Sequence, residues 1–311
     1  MDGVLVALKP AGPTSHDVVG LVRRLASTKR VGHGGTLDPF ASGVLPLFLG
    51  RATRLVEYHL ADRKGYRATV CFGASSTTDD LEGELTPTNG PAPDRAAVEA
   101  ALKAFTGPIS QRPPASSAIK VAGRRAYAMA RAGESVELAR REVTIDALEI
   151  LEWDGSDTGR PVAVVDVRCS AGTYVRALAR DLGEAVGSAA YLGALVRTAS
   201  GPFGIDRAIP MDDIRAAAAD GADRLAALLL PIDAGLDALP ELLATDPEVE
   251  ALSRGQFIRP SSLASDAPGD GPIRVRDGAG RLVAIVTLRD GRLAPDKVLV
   301  DPHRPEVTAD A

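Results

Sequence analysis

The chain has 311 residues, 45% of them hydrophobic and 25% charged, and a net charge of −5, which fits a soluble globular protein with one large domain and a small one. No apolar run approaches the roughly 18 residues needed to span a bilayer, and no basic-then-apolar leader precedes the first strand, so a cytoplasmic protein is expected. Cys71 and Cys169 lie far apart without a C-x-x-C, and His16, His33, His59 and His303 are scattered, which excludes a cysteine framework and makes a metal enzyme unexpected.

From the N-terminus, GVLVALKP (3–10) reads as a buried strand stopped by Pro10. SHDVVGLVRRLAS follows as a helix, with Ser15 as its cap and Val18, Val22 and Leu25 at helical spacing. The run RVGHGGTLDPFASGVLP (30–46) fits neither element: Gly32, Gly34 and Gly35 disfavour a strand, and Pro39 and Pro46 disfavour a helix. YRATVCFG (66–73) alternates, placing Tyr66, Ala68, Val70 and Phe72 on one face. DRAAVEAALKAFTG (94–107) is a helix capped by Asp94, with Val98, Leu102 and Phe105 on one stripe and Gly107 after it. VTIDALEILEW (143–153) and VAVVDVRCS (162–170) read as strands, and GTYVRALARDLGEAVG (172–187) as a helix with Val175, Leu178, Leu182 and Val186 along one side. The mixture lacks regular β-α-β alternation, so an α+β fold is favoured over a doubly wound sheet. A second unit begins near LLPIDAGLDALPEL (229–242), and two later alternating strands flank Asp277-Gly278-Ala279-Gly280, a hairpin signal.

Charge is unevenly placed along this plan. Residues 18–54 carry Arg23, Arg24, Lys29, Arg30, Arg51 and Arg54 against Asp38 alone, and residues 111–141 carry seven basic residues against Glu134 and Glu137. Two basic segments on an acidic body suit either a localised polyanion site or two solvated faces. Taken alone, Asp38-Pro39 is a turn dipeptide. Its neighbours Leu37, Phe40, Val44 and Leu45 are nevertheless too apolar for a solvent loop, and a carboxylate packed among them needs a cation or hydrogen-bond donors.

Several blocks stand in order over residues 3–205: GVLVALKPAGPTSHDVV, GHGGTLDPFASGVLP, LGRATRL, KGYRATVCFG, PPASSAIKVAGRRAYAMARAG, CSAGTYVRALARDLGEAVG and YLGALVRTASGPF. Together they resemble the TruB family of tRNA pseudouridine-55 synthases. The resemblance implies a catalytic domain over 1–232, a mixed and mainly antiparallel sheet flanked by helices, with an RNA-gripping insertion at about 108–142. SRGQFIRP and DGAGRLVAIV resemble a PUA-like RNA-binding module, placed at 233–300 ahead of a tail at 301–311.

The implied reaction isomerises uridine-55 in the TψC loop of tRNA. The C–N glycosidic bond breaks, the uracil rotates, and the base rejoins through C5 without redox change or net water, so no cofactor and no metal is expected. Asp38 falls at the family's aspartate position, where it attacks C6 or C1′ or acts as a base. Arg176 matches the arginine that pairs with it, a pairing expected to lower the carboxylate's pKa and keep it ionised. Alone, Arg176 reads as an exposed helix residue and Tyr66 as core. By the resemblance Tyr66 stacks on the uracil and helps remove the C5 proton, and Tyr174 and Leu195 line the uridine pocket. His33 contacts or replaces the displaced nucleotide, and Lys9 of the K-P pair is placed with the substrate-binding residues. Arg124, Arg125, Arg131, Arg140 and Arg141 are the expected phosphate contacts, with Tyr127 and Arg131 four apart on one helix face. The expected partner is the T-arm of tRNA, bound by a monomer.

Two departures affect the pocket wall. Thr77 stands where an aspartate is frequent in GASSTTDDLEG, with Asp80 and Gly83 retained, and Ser116 stands where tyrosine is common in PPASSAIK. Two other readings stay open at this level: a tRNA-binding folding chaperone with secondary catalysis, or a related synthase acting on other RNA uridines.

Overall fold

A computed structural model describes residues 1–88, 90–117, 120–121, 123–125, 129, 138–259 and 271–301, with only the backbone at 120, 121 and 125. In chain order the first strands are β1 (Gly3–Lys9), β2 (Val31–His33), β3 (Ser42–Leu49) and β4 (Lys64–Phe72). A small hairpin, β5 (Ala74–Ser76) and β6 (Leu85–Pro87), precedes β7 (Gly107–Gln111), and β8 (Lys120–Val121) pairs with β9 (Arg124–Arg125). The long strands β10 (Arg141–Asp154), β11 (Val162–Cys169) and β12 (Ala190–Ser200) follow, then the short β13 (Phe203–Gly204) and β14 (Ile209–Pro210). The last four are β15 (Glu241–Leu243), β16 (Ile273–Arg276), β17 (Leu282–Arg289) and β18 (Arg292–Val298).

Ten strands form one sheet in the order β14-β1-β3-β12-β4-β11-β10-β7, with β2 on β3 and β13 on β12. Among the described pairings of this sheet, only β1–β14 and β3–β12 run parallel. The mainly antiparallel, α+β character expected from the sequence is therefore the observed one. Its helices are α1 (Ser15–Leu25), α2 (Val56–His59), α3 (Arg95–Leu102), α4 (Val175–Ala185), α5 (Met211–Ala219), α6 (Ala222–Ala226) and α7 (Asp246–Ser253).

Helices α1 and α5 cover Leu5, Ala7, Leu45 and Leu47 of β1 and β3. Helices α3 and α4 cover Tyr66, Ala68, Val70, Val165 and Val167. The stripe predicted for α4 is buried at Val175, Leu178 and Leu182, as an amphipathic helix on a sheet requires. Asp94 caps α3, accepting from the Ala97 amide at 2.8 Å.

Two local expectations are corrected. The N-cap of α1 is Thr14, in a capping box with Asp17, and not Ser15. Ser15 is instead buried, and its hydroxyl bonds both the N–H and the C=O of Leu37 at 2.8 and 3.1 Å. The glycine- and proline-rich run 30–46 is not all loop, since β2 and β3 frame a turn at residues 34–41. Pro46 is tolerated inside β3 because β3 changes partner on that edge, from β12 at Ser42 and Gly43 to β2 at Leu47. The Pro46 carbonyl accepts from Gly34 N–H at 3.0 Å, one residue beyond the last β2–β3 pair, so the proline stands at the end of that ladder.

Strands β15–β18 make a separate four-stranded sheet with its own core of Leu252, Ile258, Ile273, Val275, Val283 and Val286. Asp277 closes its first hairpin by accepting from the amides of Ala279 and Arg281 at 3.0 and 2.9 Å. This small sheet meets the first part of the chain through Leu55, Leu236, Leu282, Ile285 and Leu299, and through Arg51, which donates to the Leu299 carbonyl. Among the described residues, no helix is long and apolar enough to cross a membrane.

Candidate active site

The turn at residues 34–41 carries Asp38 and is held from below by side chains of three different elements. Ser15 of α1 brackets Leu37. Lys9, the last residue of β1, is fully buried and donates to the carbonyls of Ala41 at 2.6 Å, Pro10 at 2.9 Å and Pro39 at 3.2 Å. Arg197 of β12 donates to the carbonyls of Val44, Thr36 and Gly35 at 2.6, 3.3 and 3.2 Å. Gly43 is required where β3 closes on β12: at its φ of +111°, a Cβ would stand 2.2 Å from the Arg197 carbonyl oxygen.

The apex of the turn presents the Asp38 carboxylate, 36% exposed, to Arg176 in the first turn of α4. Arg176 is 5% exposed, which corrects its reading in isolation as a solvated helix residue. Its Nε lies 3.0 Å from Asp38 Oδ2 and its Nη2 donates to Oδ1 at 3.4 Å. The far side of the guanidinium is anchored by Asp80 Oδ2 at 3.1 Å, Ser116 Oγ at 2.6 Å and the carbonyls of Thr78 and Ser116 at 3.2 Å. Asp80 is itself buried and accepts from the Thr78 hydroxyl at 2.5 Å.

Both departures from the family pattern thus have structural duties. Ser116 is an acceptor for Arg176, and Thr77 Oγ1 accepts from the Glu84 amide at 3.0 Å, closing the β5–β6 hairpin. The Asp38–Arg176 pair forms as expected, but its electrostatic outcome differs. Burial raises the Asp38 pKa above its ordinary value, Arg176 and Lys9 pull it down, and Asp80 adds like-charge repulsion, leaving a net upward shift.

Tyr66 is buried on β4, cross-strand from Arg197, and Leu195 sits diagonally beside it on the same face. Burial pushes the Tyr66 phenol up, while the Arg197 charge opposes that rise. Tyr174 precedes α4, and Gln111 of β7 grips its backbone from both sides, accepting its N–H at 2.8 Å and donating to its C=O at 3.0 Å. The Arg141 guanidinium lies over the Tyr174 ring, 5.5 Å from the centroid. His33 ends β2, and its Nδ1 accepts from Gly35 N–H at 3.3 Å; burial and Arg197 lower its pKa, favouring neutral imidazole.

The fold therefore gathers Asp38, Tyr66, Arg176, Leu195 and Lys9 around one turn, with His33 and Tyr174 on its flanks. Lys9 faces backbone carbonyls with all three donors. Arg140 lies apart from this group, exposed and donating to the Ser110 carbonyl at 2.8 Å. Arg124 is exposed on β9. Arg131, Tyr127 and the Arg125 side chain lie outside the described residues. Sequence reasoning missed Asp80, Gln111 and Arg197 as parts of the site. Asp80 carried a signal, an acidic residue retained three positions after the altered Thr77; Arg197 stood within a matched block, but only the β12–β4 pairing brings it to Tyr66, and Gln111 carried none, because its meeting with the Tyr174 backbone is a long-range side-chain contact.

Residues 23–175 match the model of the TruB family pseudouridylate synthase N-terminal domain, and residues 176–237 match the tRNA pseudouridylate synthase B C-terminal domain. A tRNA pseudouridine synthase B of Bradyrhizobium diazoefficiens is 44% identical over 299 residues, covering 95% of this chain and 85% of the relative. One from Bacillus licheniformis is 41% identical over 305 residues, covering 96% of this chain and 98% of its own. Among solved structures, a chain in a Cbf5-Nop10-Gar1 complex superposes with a TM-score of 0.73 at 26% identity, over 96% of this chain and 85% of its own. The ordered sequence blocks and the mainly antiparallel sheet thus have one common source: the chain belongs to the TruB family of pseudouridine synthases.

Proposed function

We propose that the protein isomerises uridine-55 in the TψC loop of tRNA to pseudouridine, with Asp38 as the reacting carboxylate on a uridine turned out of the loop. The observation that carries this reading is the Asp38 carboxylate at the apex of an anchored turn, 3.0 Å from the buried Arg176 and within electrostatic reach of Tyr66. In the reaction C1′–N1 breaks, C1′–C5 forms, the C5 proton leaves and N1 gains one, so atoms and charge balance without an oxidant or a second substrate. Arg176, fixed by Asp80 and Ser116, favours the anionic form of the carboxylate against its burial and holds it in position. Tyr66 and Leu195 offer an apolar face for the uracil and keep water from the separated base and sugar.

Arg124, Arg125, Arg131, Arg140 and Arg141 contact phosphates of the T-arm, and His33 and Tyr174 meet the bases displaced when the loop opens. Residues 1–232 act as the catalytic unit with the RNA-gripping insertion at about 108–142, and 233–300 add a PUA-like RNA-binding module ahead of the tail at 301–311. The protein works as a monomer in the cytoplasm. The test is incubation of wild type and Asp38→Asn with a tRNA carrying uridine-55, followed by mapping of pseudouridine. Wild type forms it at position 55 and the variant does not; a variant that isomerises at the normal rate refutes the role of Asp38.

A further inference from the structure

Arg197 is among the largest fully buried side chains of the protein, 1% exposed. Its guanidinium donates to three backbone carbonyls, it pairs across the ladder with Tyr66, and among the described residues no carboxylate pairs with it. Burying a guanidinium without a carboxylate partner is costly, and an apolar side chain fills such a space more cheaply. The position of its acceptors explains the choice. Gly35 and Thr36 lie upstream of Asp38 in the turn and Val44 lies downstream. One planar fork therefore ties both stems of the turn together. The same residue pairs across the ladder with Tyr66 on one side and Gly43 on the other. Asp38 and Tyr66 reside on separate elements, and among the described side chains Arg197 is bonded to the turn of one while facing the phenol of the other.

We propose that Arg197 is a positioning residue that sets the separation between the Asp38 carboxylate and the Tyr66 phenol. It acts by locking the turn to β12 through its three carbonyl bonds, and the β12–β4 ladder, in which it faces Tyr66, carries that lock to the phenol; it touches neither the RNA nor the reacting atoms. The inference rests on the proposed roles of Asp38 and Tyr66. Lysine cannot reproduce it, because a single ammonium lacks the planar spread that reaches Val44, Thr36 and Gly35 at once. A misplacement of about 1 Å between reacting groups slows chemistry by about 100-fold without loosening substrate binding.

The experiment uses the full chain with Arg197→Lys and Arg197→Met, each alone and combined with Tyr66→Phe. Single-turnover pseudouridine formation at uridine-55 and equilibrium tRNA binding are measured for each. Arg197→Lys is expected to slow the step by about 100-fold while the Kd for tRNA changes by less than about threefold. In the Tyr66→Phe background the same change is expected to cost less than about tenfold, because the distance being held no longer matters. Multiplicative losses, a normal rate in the lysine variant, or a rate restored at saturating tRNA each overturn the proposal. So does loss of the native circular dichroism spectrum in both Arg197 variants, which makes the residue a packing element only. A wild-type protein that forms no pseudouridine on that tRNA overturns the proposed function instead.

Discussion

Replacing Lys9 with methionine tests whether the Asp38 turn depends on buried donors. The substitution keeps the length and apolar stem of the side chain and removes only the ammonium. Burial lowers the Lys9 pKa from 10.5 to about 8, so at pH 7 the amine retains the third proton its three acceptors need. The Ala41 bond is the most buried and, at 2.6 Å, the shortest; losing it costs about 2 kcal/mol. The Pro10 and Pro39 carbonyls are only partly buried and recover water, so each adds about 0.5–1 kcal/mol. Methionine returns about 1 kcal/mol through its own burial, leaving a net loss of about 2–3 kcal/mol. Urea unfolding at constant slope reads this as a lower midpoint, and single-turnover isomerisation falls by about 10- to 100-fold as the turn relaxes. As pH rises through about 8, the neutral amine keeps two protons for three carbonyls, so wild-type turnover declines while that of the variant stays flat. A stability change below about 0.5 kcal/mol with full activity would refute the anchoring argument.

Two further outcomes follow from the same geometry. Asp80→Asn removes the negative charge that helps raise the Asp38 pKa, so the pH below which activity is lost moves down in a rate profile across about pH 4–8; an upward shift contradicts this reading. Gly43→Ala places a Cβ 2.2 and 2.5 Å from the Arg197 carbonyl oxygen and amide nitrogen at a φ of +111°, and is expected to cost about 3 kcal/mol or more by thermal melting. Gly20→Ala, whose Cβ meets only Arg24 Nη1 at 3.8 Å within α1, is the matched control and stabilises by about 0.5–1 kcal/mol.

Much of the frame is local and was therefore legible. The buried run of β1, the alternation of β4, the Asp94 cap of α3 and the apolar side of α4 each follow from periods of 2 and 3.6 and from capping chemistry. The ordered blocks also named Asp38, Tyr66 and Arg176 before any contact was known. Local signals misled at Ser15, where a good capping residue stands beside a better-placed Thr14, and at Gly32, whose type disfavours a strand although it lies within β2.

What the linear sequence determined by itself was several of the main strands and helices and, through the family resemblance, the candidates Asp38, Tyr66 and Arg176. The tertiary structure decided how those residues are held. Asp38 and Arg176 are 138 positions apart, and Arg197 lies 162 positions beyond Gly35. Their meeting depends on the strand order β1-β3-β12-β4, which no spacing encodes. The sign of the Asp38 shift was likewise decided in three dimensions. A neighbouring cation lowers a carboxylate's pKa, but burial and the buried Asp80 outweigh it here. Burial and like-charge proximity are sums over all surrounding atoms, and a sequence does not state which atoms those are.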